Sequence, residues 1–184
     1  MLIFFDCEFT GLHQDTTLIS IGMISEDGKK FYAEASDYDK SQVDDWINEN
    51  VLAHRWCHTN RFELEEPYYY VYGNKVSIAH ELKKYLRQFD EVELVSDCAH
   101  YDMMLFINLF GTAFDIPENV CPVCYDINQD IAKFHNVDGF TAFDISREDI
   151  LLNNGIEIKG AKHNALYDAE VIRALYNILN KKEN

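Results

Sequence analysis

The chain is poor in proline, glycine and long apolar runs, and each shortage excludes a class of protein. Three prolines and eight glycines among 184 residues exclude a collagen-like or Pro/Gly-rich disordered chain. No apolar run approaches the roughly 20 residues that cross a bilayer, so we expect no membrane partner. The N-terminus has neither the basic segment nor the small-residue cleavage site of a signal peptide, and we therefore expect a cytoplasmic protein.

Basic side chains are also scarce, because 16 Lys and Arg face 32 Asp and Glu and the net charge is −16. Non-specific binding to nucleic acid rests on Lys and Arg that neutralise phosphates. The composition therefore excludes a protein that coats DNA. It does not exclude an enzyme that meets phosphate through metal ions, because such an enzyme needs only a local contact surface.

Cysteines are few and scattered. There are five, and an odd number favours free thiols in a reducing compartment over a disulfide framework. Cys121 and Cys124 have the spacing of half a zinc site. A structural zinc normally takes four ligands from paired motifs, and no second CxxC exists. Cys57 and His58 are candidates to complete such a site, but we favour free thiols.

What the chain has in quantity is apolar and aromatic side chains, at 47% and 14%. These fractions favour a compact globule, and the length fits one domain over residues 1–184. Apolar and alternating segments predict an antiparallel three-stranded meander: a first strand from residue 2 to a turn at Thr10 and Gly11, then strands over 18–24 and 30–35. Helical spacing then alternates with short apolar runs, which predicts an α/β layer domain.

Two segments carry weaker signals. The stretch 59–72 is rich in Glu and Tyr and predicts an exposed excursion. Tyr68, Tyr69 and Tyr70 within it are either stacking platforms for bases or amphipathic packing residues. We favour packing. The tail 181–184 is expected to fray.

Asp6 and Glu8 lie inside the apolar run at the start of the chain. Side chains two apart in a strand point to the same face, so both carboxylates share a face with Phe4, and Phe5 and Cys7 point away. Two such carboxylates, about 6–7 Å apart, repel each other, and burial makes their ionisation costlier. A divalent cation would supply the missing positive charge. The alternative is a polar strand end with solvated acids.

Asp102 stands in a helix with apolar residues on nearly every side. Burying an unpaired carboxylate costs several kcal/mol or raises its pKa until it is neutral. A helix cap would explain Asp97, at the junction of strand and helix, but it does not explain an acid five residues later. A metal ion or a basic partner is the better explanation for Asp102.

Asp168 borders the inward stripe of the final helix, five residues after His163. Stabilisation by the helix dipole, about 0.3–1 kcal/mol, explains an acid near a helix start equally well. In one continuous helix the two side chains would point about 140° apart. They converge only if His163 precedes the helix and Asn164 caps it. A histidine of near-neutral pKa in such a loop suits a general base.

Together these residues stand in an order that resembles the DEDDh group of 3′-to-5′ exonucleases, of the DnaQ-like superfamily with the RNase H-like fold: Asp6, Glu8, Asp102, His163 and Asp168. The resemblance is strongest in residues 5–12 (FDCEFTGL) and 163–169 (HNALYDA). Around Asp102 it departs, because many members have Asn four or five residues earlier, where this chain has Asp97 and Cys98. The segment 46–52 is similar to one in small stand-alone bacterial and phage exoribonucleases.

The resemblance implies a mixed central sheet flanked by helices and a two-metal mechanism with Mg²⁺ or Mn²⁺. It implies that Asp6 bridges the two ions and that Glu8, a catalytic and metal-binding residue, completes one shell with Asp168. Asp102 would hold the second ion. His163 would deprotonate the attacking water.

The resemblance also implies the substrate. Phe9, Thr10 and Leu12 would lie against the 3′-terminal nucleotide of single-stranded RNA or an RNA 3′ overhang, and the products would be nucleoside 5′-monophosphates. By analogy the protein is a homodimer. A DNA exonuclease of proofreading or repair is the first alternative, because discrimination between the sugars needs contacts to the 2′-hydroxyl that the sequence does not assign. A non-catalytic module that binds a nucleotide or a partner is the second.

Overall fold

The computed structural model describes residues 1–58 and 68–180. Six of its strands form one mixed sheet: β1 Leu2–Phe9, β2 Leu18–Ser25, β3 Lys30–Ala35, β4 Tyr68–Gly73, β5 Val92–Ser96 and β6 Val120–Asp126. The strand order is β4-β3-β2-β1-β5-β6. β1, β2 and β3 form an antiparallel meander, and β4, β5 and β6 each run parallel to their inner neighbour. The predicted meander is confirmed.

Seven α-helices are found in the described ranges: α1 Asp45–Asn50, α2 Lys75–Leu86, α3 Ala99–Phe110, α4 Asn128–His135, α5 Gly139–Asp144, α6 Arg147–Asn153 and α7 Ala165–Leu179. α2 and α3 cover the sheet face that carries Ile3 and Phe5. α4 to α7 cover the opposite face, against Phe4. The predicted α/β fold with a mixed sheet between helices is therefore confirmed. None of the described helices combines the length and apolar character that crossing a membrane requires.

The first strand shows the expected alternation but is shorter than the apolar run. It ends at Phe9, because the N–H of Thr10 leaves the ladder and donates to the carbonyl of Thr17 at 3.1 Å. The face that carries Phe4 also carries the two carboxylates. This strand therefore delivers both acids to the side of the sheet covered by α7.

The prediction of an exposed excursion over 59–72 is wrong for its last part. Tyr68–Gly73 is strand β4, which pairs in parallel with β3 at the sheet edge. The ring of Tyr70 stacks on Tyr32 with centroids 5.9 Å apart, and Tyr69 contacts Tyr85 edge to face, so both tyrosines pack as we favoured. Residues 59–67, the side chain of Tyr68 and the tail 181–184 lie outside the described part.

The structure adds a helix that the sequence did not predict, and it places Cys121 and Cys124 on one strand. The six-residue helix α5 was not predicted, since its phenylalanines at 140 and 143 are exposed and give no inward stripe. Cys121 and Cys124 both lie on β6, and among the described residues they belong to no group of potential metal ligands. All five cysteines are free thiols.

Candidate active site

The predicted site residues converge at one end of the sheet, around a cavity of about 630 Å³. β1 contributes Asp6 and Glu8, the first turn of α7 contributes Asp168, and the turn before that helix contributes His163; all four line the cavity. Asp102, from the first turn of α3, lies beneath the cavity wall and is fully buried. Residues up to 162 positions apart in sequence are thus brought together by the fold, as the motif order predicted.

The close packing of α7 on the sheet beside β1 depends on Gly22. It is the partner of Asp6 in the β1–β2 ladder. A Cβ atom at this position would lie 2.3 Å from the backbone of Ala165, the first residue of α7. A side chain of any size would therefore displace the helix, and with it Asp168, from the strand that carries Asp6.

Asp102 is held by two hydrogen bonds across the sheet. The backbone N–H of Cys7 donates to its Oδ1 at 3.3 Å, and the hydroxyl of Ser96 donates to its Oδ2. Burial nevertheless raises the pKa of Asp102 well above its ordinary value. The carboxylate is therefore fixed in position, and its described hydrogen-bond partners carry no positive charge.

His163 lies outside α7, as predicted. Asn164 is the N-cap of that helix, and its side chain accepts a hydrogen bond from the N–H of Tyr167. His163 has a φ of +63°, the left-handed conformation, and its own N–H donates to Oδ2 of Asp168 at 2.8 Å. Its Nδ1 lies 3.8 Å from Oε1 of Glu8. The turn before the helix thus points the imidazole back towards β1.

The carboxylates repel one another strongly. Burial, and then the charges of Asp102, Glu8 and Asp168, raise the pKa of Asp6 well above its ordinary value. Burial and the neighbouring Asp168 do the same to the pKa of Glu8. Burial, followed by the charge of Asp97, raises the pKa of Asp168 to about 8. Without a counter-charge, ionisation of these acids is therefore disfavoured.

The arrangement fits divalent cations. Potential ligand atoms of Glu8, His163 and Asp168 lie within 4.8 Å of one another. Those of Asp6, Asp97 and Asp102 form a second set of the same size. Among the described residues, Oδ2 of Asp6 is buried without a hydrogen-bond partner. Carboxylate oxygens are the ligands that Mg²⁺ and Mn²⁺ prefer. A cation would satisfy the orphaned oxygen and relieve the repulsion together.

Asp97 belongs to the second set, with Asp6 and Asp102, and the sequence analysis missed it. The expectation that it caps a helix is wrong, because the N-cap of α3 is Cys98, without a side-chain hydrogen bond. Its Oδ2 instead faces Nε of Arg147 at 3.3 Å. Burial raises the pKa of Asp97, and the guanidinium opposes that shift. The spacing of five residues before Asp102 was the only sequence signal.

The residues expected against the 3′-terminal nucleotide occupy different environments. Phe9 and Leu12 line the cavity, and the ring of Phe9 stacks on Tyr101 with centroids 5.1 Å apart. Thr10 is buried behind the cavity wall, where its hydroxyl accepts a hydrogen bond from the N–H of Thr17 and contacts Gln42. Trp46 lies at the rim, edge-on to the imidazole of His163.

Comparison with known proteins places this chain in a family. Residues 1–179 match the family described as the 3′-5′ exoribonuclease Rv2179c-like domain. The chain is 28% identical over 122 residues to the 3′-5′ exoribonuclease Rv2179c of Mycobacterium tuberculosis strain H37Rv, covering 65% of this chain and 67% of that protein. The chain therefore belongs to the Rv2179c-like 3′-5′ exoribonuclease domain family.

Solved structures share the fold at lower identity. The nuclease domain of 3′hExo, a DEDDh family member bound to rAMP, aligns with a TM-score of 0.66 at 13% identity over 98% of this chain and 92% of that chain. S. pombe Pop2p in its Mg²⁺- and Mn²⁺-bound form aligns with a TM-score of 0.66 at 13% identity, over 99% and 83%. The predicted fold, family and enzyme class, a 3′-5′ exoribonuclease, are thereby confirmed.

Proposed function

We propose that residues 1–184 form a single domain that removes nucleotides from the 3′ end of single-stranded RNA or RNA 3′ overhangs. The products are nucleoside 5′-monophosphates, and the cofactors are two divalent cations, Mg²⁺ or Mn²⁺. The observation that carries the proposal is Oδ2 of Asp6, which is buried and has no hydrogen-bond partner in the described part of the chain, while a carboxylate oxygen of Asp6 lies within 4.8 Å of those of Asp97 and Asp102.

The cations would be held by the carboxylates that the fold brings together: Asp6, Glu8, Asp102 and Asp168. When bound, such ions polarise a phosphodiester and stabilise the charge that develops on the leaving oxygen. The core anchors β1 and α7 on both sides of the site, so the positions of these carboxylates are fixed. The carboxylates therefore determine where the developing charge can be stabilised. Pop2p, which shares the fold, is known in a Mg²⁺- and Mn²⁺-bound form.

His163 is the general base in this proposal. Burial, and then the charge of Lys162, lower its pKa from 6.5, so the imidazole is neutral at physiological pH. A neutral imidazole accepts the proton of the water that attacks the terminal phosphodiester. The left-handed turn and the edge of Trp46 restrict the orientation of the ring.

The substrate end rests on the loop after β1. Phe9 and Leu12 offer apolar surface in the cavity to the 3′-terminal nucleotide, and Thr10 holds the loop in shape through its buried hydroxyl. RNA is favoured over DNA by the family, whose matched relative is an exoribonuclease. A 3′hExo nuclease domain of the same fold was solved with rAMP, which is a nucleoside monophosphate as in the proposed products.

The test is digestion of 5′-labelled single-stranded RNA beside the matched DNA, with Mg²⁺, with Mn²⁺ and with EDTA. We expect a ladder that shortens from the 3′ end, is faster on RNA and disappears in EDTA. Asp6→Asn should abolish the ladder while the protein stays folded, because the change removes charge but little volume. A ladder that forms faster on DNA would overturn the assignment of RNA as the substrate. Binding of RNA without cleavage in either metal would overturn the proposed exonuclease activity.

A further inference from the structure

Helix α5 carries two exposed aromatic rings, one of which lines the catalytic cavity. The side chains of Phe140 and Phe143 are 89% and 55% exposed, although large apolar side chains are usually covered. Phe143 lines the catalytic cavity and also a second hollow of about 600 Å³, which Phe140 shares. Phe143 and Asp144 therefore join the catalytic cavity to the surface of α5. Nothing in the mechanism above uses it.

The surface is held rigidly despite its exposure. Nη1 of Arg147, itself a cavity residue, donates to the backbone carbonyls of Phe143 at 2.7 Å and Ile145 at 2.6 Å. Asp138 caps α5 by accepting from the N–H of Thr141 at 2.8 Å. A fixed aromatic surface binds its ligand at a lower cost in conformational entropy than a mobile one.

The charges around the two rings are of both signs. Asp138 and Asp144 line the hollow of α5 and repel phosphate groups there, whereas the guanidinium of Arg147 lies 5.9 Å from the centre of the Phe143 ring. The π-face of a nucleobase carries no charge and stacks on aromatic side chains, whatever its sequence. A strand whose 3′ end lies in the catalytic cavity must leave it, and the exposed ring of Phe143 lines both that cavity and the adjoining hollow.

We propose that Phe140 and Phe143 form a stacking surface for bases upstream of the scissile bond of single-stranded RNA. This inference rests on the proposed exonuclease function. It assigns single-strand preference to a defined place, because a base in a duplex cannot offer its face to a protein ring without unstacking. The phosphates of the bound strand would run on the side away from the two aspartates.

The test combines protein variants with altered RNA. Steady-state KM is measured for a single-stranded RNA decamer and for the same decamer with abasic residues upstream of the 3′-terminal nucleotide. For the wild-type protein, loss of the stacked bases should raise KM by at least about fivefold, which corresponds to the lower end of stacking energies. In Phe140→Ala/Phe143→Ala, the ratio of the two KM values should fall to about one.

Controls separate the possible outcomes. Phe114→Ala removes a 98% exposed ring outside the two cavities, and its KM ratio should equal that of the wild type. Phe140→Ala alone should give an intermediate ratio even if the double variant fails to fold, and Phe140→Trp should keep the ratio. The inference is overturned if the wild-type protein cleaves the decamer and both Phe140→Ala and a folded double variant have the same KM ratio as the wild type. An unchanged ratio with an altered oligomeric state would assign α5 to contacts between protein chains. Absence of cleavage by the wild type would instead overturn the proposed function.

Discussion

The backbone N–H of His163 donates a 2.8 Å hydrogen bond to Oδ2 of Asp168, five residues further along the chain. The proposed base and a proposed metal ligand are therefore joined directly. The bond exists because Asn164 starts α7 one residue later and leaves His163 in a left-handed turn. A change in the charge of Asp168, or in the metal bound to it, therefore alters the hydrogen bond to the backbone N–H of His163.

His163→Ala should lower the rate by roughly 10²- to 10⁴-fold, the usual contribution of a general base. Because the pKa of His163 lies below its ordinary value, the wild-type profile of kcat/KM should lose activity only as the pH falls below about 6.5. The variant should lack this acidic limb. The profile is measured at saturating Mn²⁺, so that protonation of the carboxylates does not limit metal binding. His80→Ala, which changes an exposed histidine on α2, should behave as the wild type. An acidic limb that persists in His163→Ala would rule out this base.

Without metal, the protein should become less stable as the pH rises from 5 to 8. Asp6, Glu8 and Asp168 have pKa values raised in the folded state, so the folded chain binds more protons than the unfolded one. Their contribution is fully present below their ordinary pKa values and is lost as the pH passes the folded value, about 8 for Asp168. Urea unfolding in EDTA measures the trend, and added Mg²⁺ should reduce it.

The matched control for this pH dependence is Asp168→Asn, which keeps the shape of the side chain and removes its charge. In EDTA the variant should show a shallower fall in stability between pH 5 and 8 than the wild type. It should also gain less from Mg²⁺. Identical slopes for the two proteins would mean that Asp168 does not carry the raised pKa.

Much of the site was predictable because its signals are local. The alternation of residues 2–9 places Asp6 and Glu8 on one face, and that spacing needs no knowledge of the rest of the fold. The capping role of Asn164 is likewise a property of a few neighbouring residues. These two local patterns, with the apolar helix around Asp102, left alternatives open, and the convergence of the acids was expected from the motif order that resembles the DEDDh exonucleases.

The parts that were missed depend on distant partners. Asp97 finds Arg147 fifty residues later, and no spacing in the sequence indicates that pair. β4 was assigned to an excursion because a strand at the sheet edge has exposed tyrosines and no clear alternation. The close contact between Gly22 and Ala165 of α7 forms only in the folded chain, because the two residues are more than 140 positions apart.

Arg147→Lys should destabilise the protein although the positive charge is kept. Arg147 donates to the carbonyls of Phe143 and Ile145, to Oδ1 of Asn128 and to Asp97. An ammonium cannot serve acceptors in so many directions, and those left unpaired cost about 2–4 kcal/mol in the free energy of unfolding. Urea unfolding measures this loss. Lys162→Ala, at an exposed cavity residue, should change stability by less than about 0.5 kcal/mol. Equal stability of Arg147→Lys and wild type would show that the network is dispensable.

Gly22→Ala should destabilise the protein by about 3 kcal/mol, because overpacking against a fixed backbone allows little relaxation. The added methyl group would lie 2.3 Å from backbone atoms of Ala165, so α7 must move away from β2. Asp168 would move with the helix, and we expect weaker Mn²⁺ binding in titration calorimetry as well as a lower urea midpoint. Gly139→Ala is the matched control, since a Cβ there meets no atom within 4 Å. It should change stability by no more than about 0.5 kcal/mol and leave the affinity for Mn²⁺ unaltered. If Gly22→Ala keeps the wild-type urea midpoint and metal affinity, the close approach of α7 to β2 is not what positions Asp168 beside Asp6.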